Sequence, residues 1–248
     1  MIVKRMTQAL KRQDWAVVSI EFVLVVLGVL LAFQINEYAN GREAANEREA
    51  ATERLLREAE ESVAYLRQAV VNQQQLVADL NFALARVQVG QWEAAEEPRM
   101  TIGLSRAKNA PPLAPPSSVY DDLVASGALG KIGNAQLRSD IAKYRATLGF
   151  SREVRQGLRE DMPDLEDFTA LRYDFNLDGR ERTRLVVDYP ALREDRLLQE
   201  KLALLADDQR VFLRHRQQAL KGAARMCVKI GQFVGQKCNL ALPPPTFD

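Results

Sequence analysis

Residues 21–36 read EFVLVVLGVLLAFQIN, and from Phe22 to Phe33 the chain carries twelve consecutive apolar residues. With Trp15–Ile20 ahead of it the stretch reaches about 20 residues, which at about 1.5 Å per residue spans the ~30 Å hydrocarbon core of a bilayer. No second apolar run of comparable length exists in the chain to pack around it, so a buried helix of a soluble core is the weaker reading. The sequence therefore predicts one transmembrane helix over 15–36.

Charge on either side of the span sets its direction. Lys4, Arg5, Lys11 and Arg12 precede it against Asp14, whereas residues 36–50 hold Arg42 and Arg48 among four glutamates. Basic residues stay cytoplasmic, which predicts an inside amino terminus and an outside domain after Asn36, with Trp15 and Tyr38 at the two interfaces. A cleaved signal peptide competes with this, because a basic leader and an apolar run are also its first two parts. Gln34, Ile35 and Asn36 after Phe33 make a poor small-x-small cleavage site, which favours an uncleaved signal anchor.

Three residues in the span are candidates for contact with another membrane helix. Gly28 and Ala32 form a small-xxx-small pair that lets backbones approach closely. Glu21 lies one heptad before Gly28, where a carboxylate needs the interface or a partner. A shallow helix with Glu21 at headgroup level is the bland alternative.

Glu21, Gly28, Gln34 and Asn36 form an E-hydrophobic-G-hydrophobic-Q-x-N pattern, and residues 120–138, YDDLVASGALGKIGNAQLR, form a Y-x-x-L-x-x-S-G-x-L segment followed by L-R. In both places the chain resembles a family of uncharacterised bacterial single-pass membrane proteins. Tyr38 stands where a tryptophan is commoner in that family. The resemblance implies an inner-membrane protein with a helical periplasmic domain, and it carries no activity.

The outer part is rich in helix formers, and β-branched residues rarely alternate with polar ones. An all-α fold follows: one transmembrane helix, then an elongated bundle with long antiparallel helices. Six segments are expected: a leader over 1–14, the span over 15–36, a stalk and long heptad helix over 37–90, a proline-rich connector over 91–117, short helices and a turn over 118–189, and a long helix with a cysteine-bearing tail over 190–248. The heptad face of the first long helix is Leu56, Ala59, Val63, Leu66, Val70, Gln73, Val77, Leu80, Leu84 and Val87, which serves a coiled coil or an internal core equally well. Asn40-Gly41 either breaks that helix or is carried through it.

In the middle segment Ser118 and Asp121 form a capping box, Gly127 stops the short helix, and Asn134 caps the next, whose apolar face is Leu137, Ile141, Tyr144 and Leu148. Asp174, Asn176, Asp178 and Gly179 match the opening of a calcium loop, but Leu185 stands where a bidentate glutamate should close the shell, so an Asx-rich turn is the better reading. Pro190 starts a last helix of about 45 residues with Leu198, Leu202, Leu205, Phe212, Ala219, Ala223, Met226, Ile230 and Phe233 on one face, and His215 near it as a structural residue.

Cys227 and Cys238 lie in the outer part, where thiols oxidise, and Gly231 and Gly235 between them permit a chain reversal. They are expected to form an intramolecular disulfide. A straight helix would hold them ~16 Å apart and leave each to another chain. Two cysteines without further cysteine or histidine do not make a zinc site.

The net charge of +1 offers no general attraction for nucleic acid, and no nucleic-acid partner is expected. No nucleophile, base and oxyanion set, phosphate loop or metal cluster can be assembled, so neither enzyme nor cofactor is expected. The sequence thus predicts a membrane-anchored interaction or scaffold component, with the membrane, a second copy or a membrane protein as partner. A sensor subunit whose outer bundle binds a ligand is the alternative, and the short leader would oblige it to signal through a membrane partner.

Overall fold

The computed structural model describes residues 15–165, 167–174 and 184–243. The chain forms two compact units, Met1–Ala51 and Thr52–Asp248. Helix α1 is Trp15–Val89, and it is helical at Asn40 and Gly41.

In the first unit the apolar side chains from Ile20 to Ile35 are all open, between 39% and 69% exposed. An 18-residue window here has a mean hydropathy of 2.0 with none of it buried.

The second unit is mostly helical. After α1 come a 3₁₀ turn at Ala94–Glu96, α2 (Glu97–Ser105), α3 (Ser118–Ala125), a second 3₁₀ turn at Ala128–Lys131 and α4 (Ala135–Glu160). Strands β1 (Leu171–Asp174) and β2 (Arg184–Val187) follow, then α5 (Tyr189–Glu194) and α6 (Arg196–Val234). The strands form an antiparallel hairpin with Leu171 opposite Val187, a small departure from an all-α chain.

The long helices α1 and α6 pack antiparallel: Glu53 meets Gln236, whereas Gln73 meets Gln209 and Asn81 meets Arg210. Helix α4 runs antiparallel to α6, since Tyr144 stands over Gly222 and Phe150 over His215. Residues of α1, α2, α5, α6 and the hairpin share one core that includes Leu80, Met100, Leu185, Leu192, Leu198 and Leu202.

Local signals account for most of the helix ends. Gly90 takes φ 71° after α1, and Gly127 takes φ 69° after α3, a left-handed conformation that costs glycine little. Asn134 Oδ1 accepts from Leu137 N at 2.8 Å to start α4. One expectation fails. The last helix is divided, because Asp195 ends α5 and its side chain caps α6 by accepting from Leu198 N at 2.9 Å. The proline-rich connector contains α2, with Pro98 in its first turn, where a missing N–H is harmless.

The buried face of α1 changes along its length. Leu56, Ala59, Val63, Leu66, Val70, Gln73, Leu80 and Val87 are buried as the heptads require, while Val77 and Leu84 are half-buried and Leu76 and Ala83 take their places. Helix α2 docks beside Asp79 and Leu80. Arg99 Nε donates to Asp79 Oδ1 at 2.8 Å, and a Cβ on Gly103 would stand 2.5 Å from the Asp79 carbonyl oxygen. Only glycine permits that approach. On α6, Phe233 is 50% exposed, so the expected apolar face ends at Ile230.

Candidate functional site

Three features of the second unit bring polar chemistry together: a buried donor row under the connector, a basic groove between α4 and α6, and a carboxyl-terminal strap closed by a disulfide.

The connector from Ala107 to Pro116 lies over buried polar side chains of the long helices. Gln209 Nε2 donates to the carbonyls of Ala107 at 2.7 Å and Asn109 at 3.2 Å, Arg155 Nε to Ala110 at 2.7 Å, and Arg216 Nη2 to Pro111 at 2.7 Å. Gln73 Nε2 donates to Gln209 Oε1 at 2.7 Å, and Ser62 Oγ to the Pro116 carbonyl at 3.2 Å. Proline has no N–H, so this segment chiefly needs donors for its carbonyls, and glutamine and arginine supply them. Burial lowers the Arg216 pKa.

Glu58 is the polar residue that sequence reasoning passed over. It is 7% exposed, and its carboxylate accepts from Val119 N at 2.6 Å, Tyr120 N at 3.1 Å and Ser118 Oγ at 3.4 Å. An anion at a helix amino terminus satisfies unpaired N–H groups and meets the positive end of the dipole. The expected Ser118–Asp121 capping box is thereby corrected. The residue before α3 is Ser117, whose Oγ donates to Asp121 Oδ2 at 2.7 Å, while Glu58 on α1 does the capping. Nothing within the local sequence marks a cap delivered from 60 residues away.

Beside Glu58 lies Tyr144, 4% exposed, whose phenol makes no well-formed hydrogen bond. Burial pushes its pKa up to about 12, with the neighbouring Ser62 hydroxyl pulling the other way. The ring of Tyr144 also lines a groove of about 470 Å³ between α4 and α6. Lys143, Arg225 and Lys229 stand around that groove against Asp140, with Gly222, Met226 and Val228 among its lining. Lys143 Nζ approaches Asp140 to 3.8 Å at an exposed position, where such a pair is worth little. His215 packs edge-on against Phe150 with ring centroids 5.5 Å apart, and burial followed by the Arg214 charge lowers its pKa, leaving the imidazole neutral near pH 7.

Cys227 and Cys238 are joined in a disulfide with Cα atoms 5.7 Å apart. Helix α6 stops at Val234, Gly235 takes φ 72°, and the chain folds back so that Gln236 N donates to the Gly231 carbonyl at 2.9 Å. Gly231 makes room for this reversal, because a Cβ there would stand 2.7 Å from the Gln236 carbonyl oxygen. A Glu60 carboxylate oxygen and the two sulfurs lie within 4.8 Å of one another. Sulfurs bonded to each other are not thiolates, so this trio is not a metal centre while the disulfide stands.

Glu21, Gly28 and Ala32 lie on α1 in the first unit, all exposed, and among the described residues nothing beyond the neighbouring residues and backbone of α1 itself comes within 4 Å of where a Gly28 Cβ would stand. Of the calcium-loop pattern, Asp174 ends β1, whereas Asn176, Asp178 and Gly179 lie outside the described residues. No protein-family model, curated protein or solved structure matches the chain.

Proposed function

We propose that this chain is a single-pass protein of the bacterial inner membrane, with its amino terminus in the cytoplasm, whose helical domain lies outside and acts by binding, as an interaction or scaffold component. One observation carries the reading: the apolar stretch of α1 has a mean hydropathy of 2.0 and none of it is buried. So much apolar surface left in water would cost on the order of 25 cal/mol per Å², and a bilayer removes that cost. The Cys227–Cys238 disulfide supports an oxidising compartment for the second unit. Fusion of alkaline phosphatase after Asp248 tests the topology, with an active fusion expected. An inactive fusion in a normally expressed, inserted product overturns it.

The groove between α4 and α6 supports the second reading, a sensor subunit. Its volume of about 470 Å³ falls within the range of small-molecule sites, roughly 300–1,000 Å³. Three cations against one carboxylate favour an anionic ligand. Crosslinking in native membranes followed by mass spectrometry tests both readings: a recurrent protein neighbour supports either, and self-crosslinks alone weaken both.

A further inference from the structure

The segment after α6 is laced to one stripe of α1. Gln236 Nε2 donates to Glu53 Oε1 at 3.0 Å, Asn239 N to Glu60 Oε1 at 2.6 Å, and Arg67 Nη1 to the Leu242 carbonyl at 3.3 Å. Glu53, Glu60 and Arg67 are spaced by sevens, so they stand above one another on the helix. Their partners advance by threes along the strap. Each contact is a single bond near solvent, so the covalent bond at Cys238 is the strongest tie holding residues 236–242 in place.

The two sulfurs are not equivalent. Cys227 is fully buried within α6, whereas Cys238 is partly exposed on the strap. Both lie near the Glu60 carboxylate. Attack by a thiolate spreads negative charge over the sulfurs, and a fixed anion beside them opposes it.

We propose that Cys238 is a site of thiol–disulfide exchange, the sulfur that takes the thiolate of a dithiol reductant, and that Glu60 slows this exchange while anchoring the strap that it releases. The attacking thiolate bonds to Cys238 Sγ, the Cys227–Cys238 bond breaks, and its electron pair leaves on Cys227 as a thiolate that takes a proton from water. The reductant's second thiol then displaces Cys238 as a thiolate, and the reductant departs as a cyclic disulfide. Two electrons have passed to the protein. The strap then keeps its three single-bond rungs to α1 and the Gln236 N bond to the Gly231 carbonyl at its root, which do not hold a chain of this length against its conformational entropy.

The test uses the full chain in detergent micelles with dithiothreitol as reductant. A unit charge at this distance, in surroundings close to water, changes the rate by about fivefold, so Glu60→Gln is expected to be reduced about fivefold faster at low salt. That gap should close toward 1 M salt, where the screening length is about 3 Å. Wild-type reduction should itself quicken with salt, which keeps the idea testable if the variant folds poorly. Glu53→Ala removes a neighbouring rung without removing the charge beside the sulfurs, and its rate should match wild type. Reduced glutathione followed by rapid alkylation should leave the adduct on Cys238. Hydrogen exchange of residues 236–242 should speed up after reduction while residues 196–226 stay protected. Equal rates for wild type and Glu60→Gln, a gap insensitive to salt, an adduct on Cys227, or a strap still protected after reduction would each overturn the proposal.

Discussion

Replacing Glu58 by alanine tests whether a single side chain of α1 holds α3 in place. The carboxylate is 7% exposed and serves two backbone donors, Val119 N at 2.6 Å and Tyr120 N at 3.1 Å, with Ser118 Oγ further off at 3.4 Å. Hydrogen bonds to a charged group contribute roughly 1.5–3 kcal/mol each, and a donor left buried and unpaired costs about 1–3 kcal/mol. Water reaching the new space would restore part of this, so the loss for Glu58→Ala is set at about 3 kcal/mol. That is a large share of a typical total of about 5–15 kcal/mol. Glu58→Gln keeps one carbonyl acceptor but turns an NH₂ toward the second N–H, and should cost about half as much. Urea denaturation of the full chain in detergent, followed by circular dichroism, measures both, and amide exchange at Val119 and Tyr120 localises the effect. If Glu58→Ala lies within about 0.5 kcal/mol of wild type, the range of ordinary surface substitutions, the cap does not stabilise α3 and the reasoning fails.

Three further outcomes are expected. Gly103→Ala should destabilise by about 1–3 kcal/mol despite alanine's better helix propensity, because its Cβ would meet Asp79 backbone at 2.5 Å; an unchanged urea midpoint would show that α2 moves away at no cost. Tyr144 binds its proton more tightly folded than unfolded, with a pKa raised from 10.0 to about 12, so its contribution is complete below pH 10.0 and lost as pH rises through about 12; Tyr144→Phe should remove that part of the alkaline loss of stability, measured by urea midpoints on either side of pH 10.0. Gly28→Leu should weaken association of the membrane helix if Gly28 and Ala32 form its contact face, and unchanged association in a membrane two-hybrid assay would leave Glu21, Gly28 and Ala32 without that role.

The features legible in the sequence are those fixed by neighbours along the chain. Twelve apolar residues in a row identify a helix suited to a bilayer whatever the rest of the molecule does, because length and hydropathy are local properties. The same holds for Asn134 starting α4, for Gly127 following α3, and for the apolar face of Leu137, Ile141, Tyr144 and Leu148. The reversal at Gly231 and Gly235 was open to inference too, since only a bend could bring Cys227 and Cys238 together.

Tertiary structure alone decided the polar interior. Glu58, Gln209 and Arg216 look like solvated positions on long helices, yet they are buried because carbonyls or amides of the connector and α3 need partners there, and Gln73, already on the heptad face, finds its partner in Gln209. Those partners lie 60 to 136 residues away in sequence, beyond the reach of any periodicity. For the same reason the shift of burial from Val77 and Leu84 to Leu76 and Ala83 could not be read from the heptads, and the need for glycine at 103 follows from how close α2 comes to Asp79. A helical pattern states which residues share a face. Which neighbour covers that face, and which polar groups that neighbour brings, is settled only when the chain is packed.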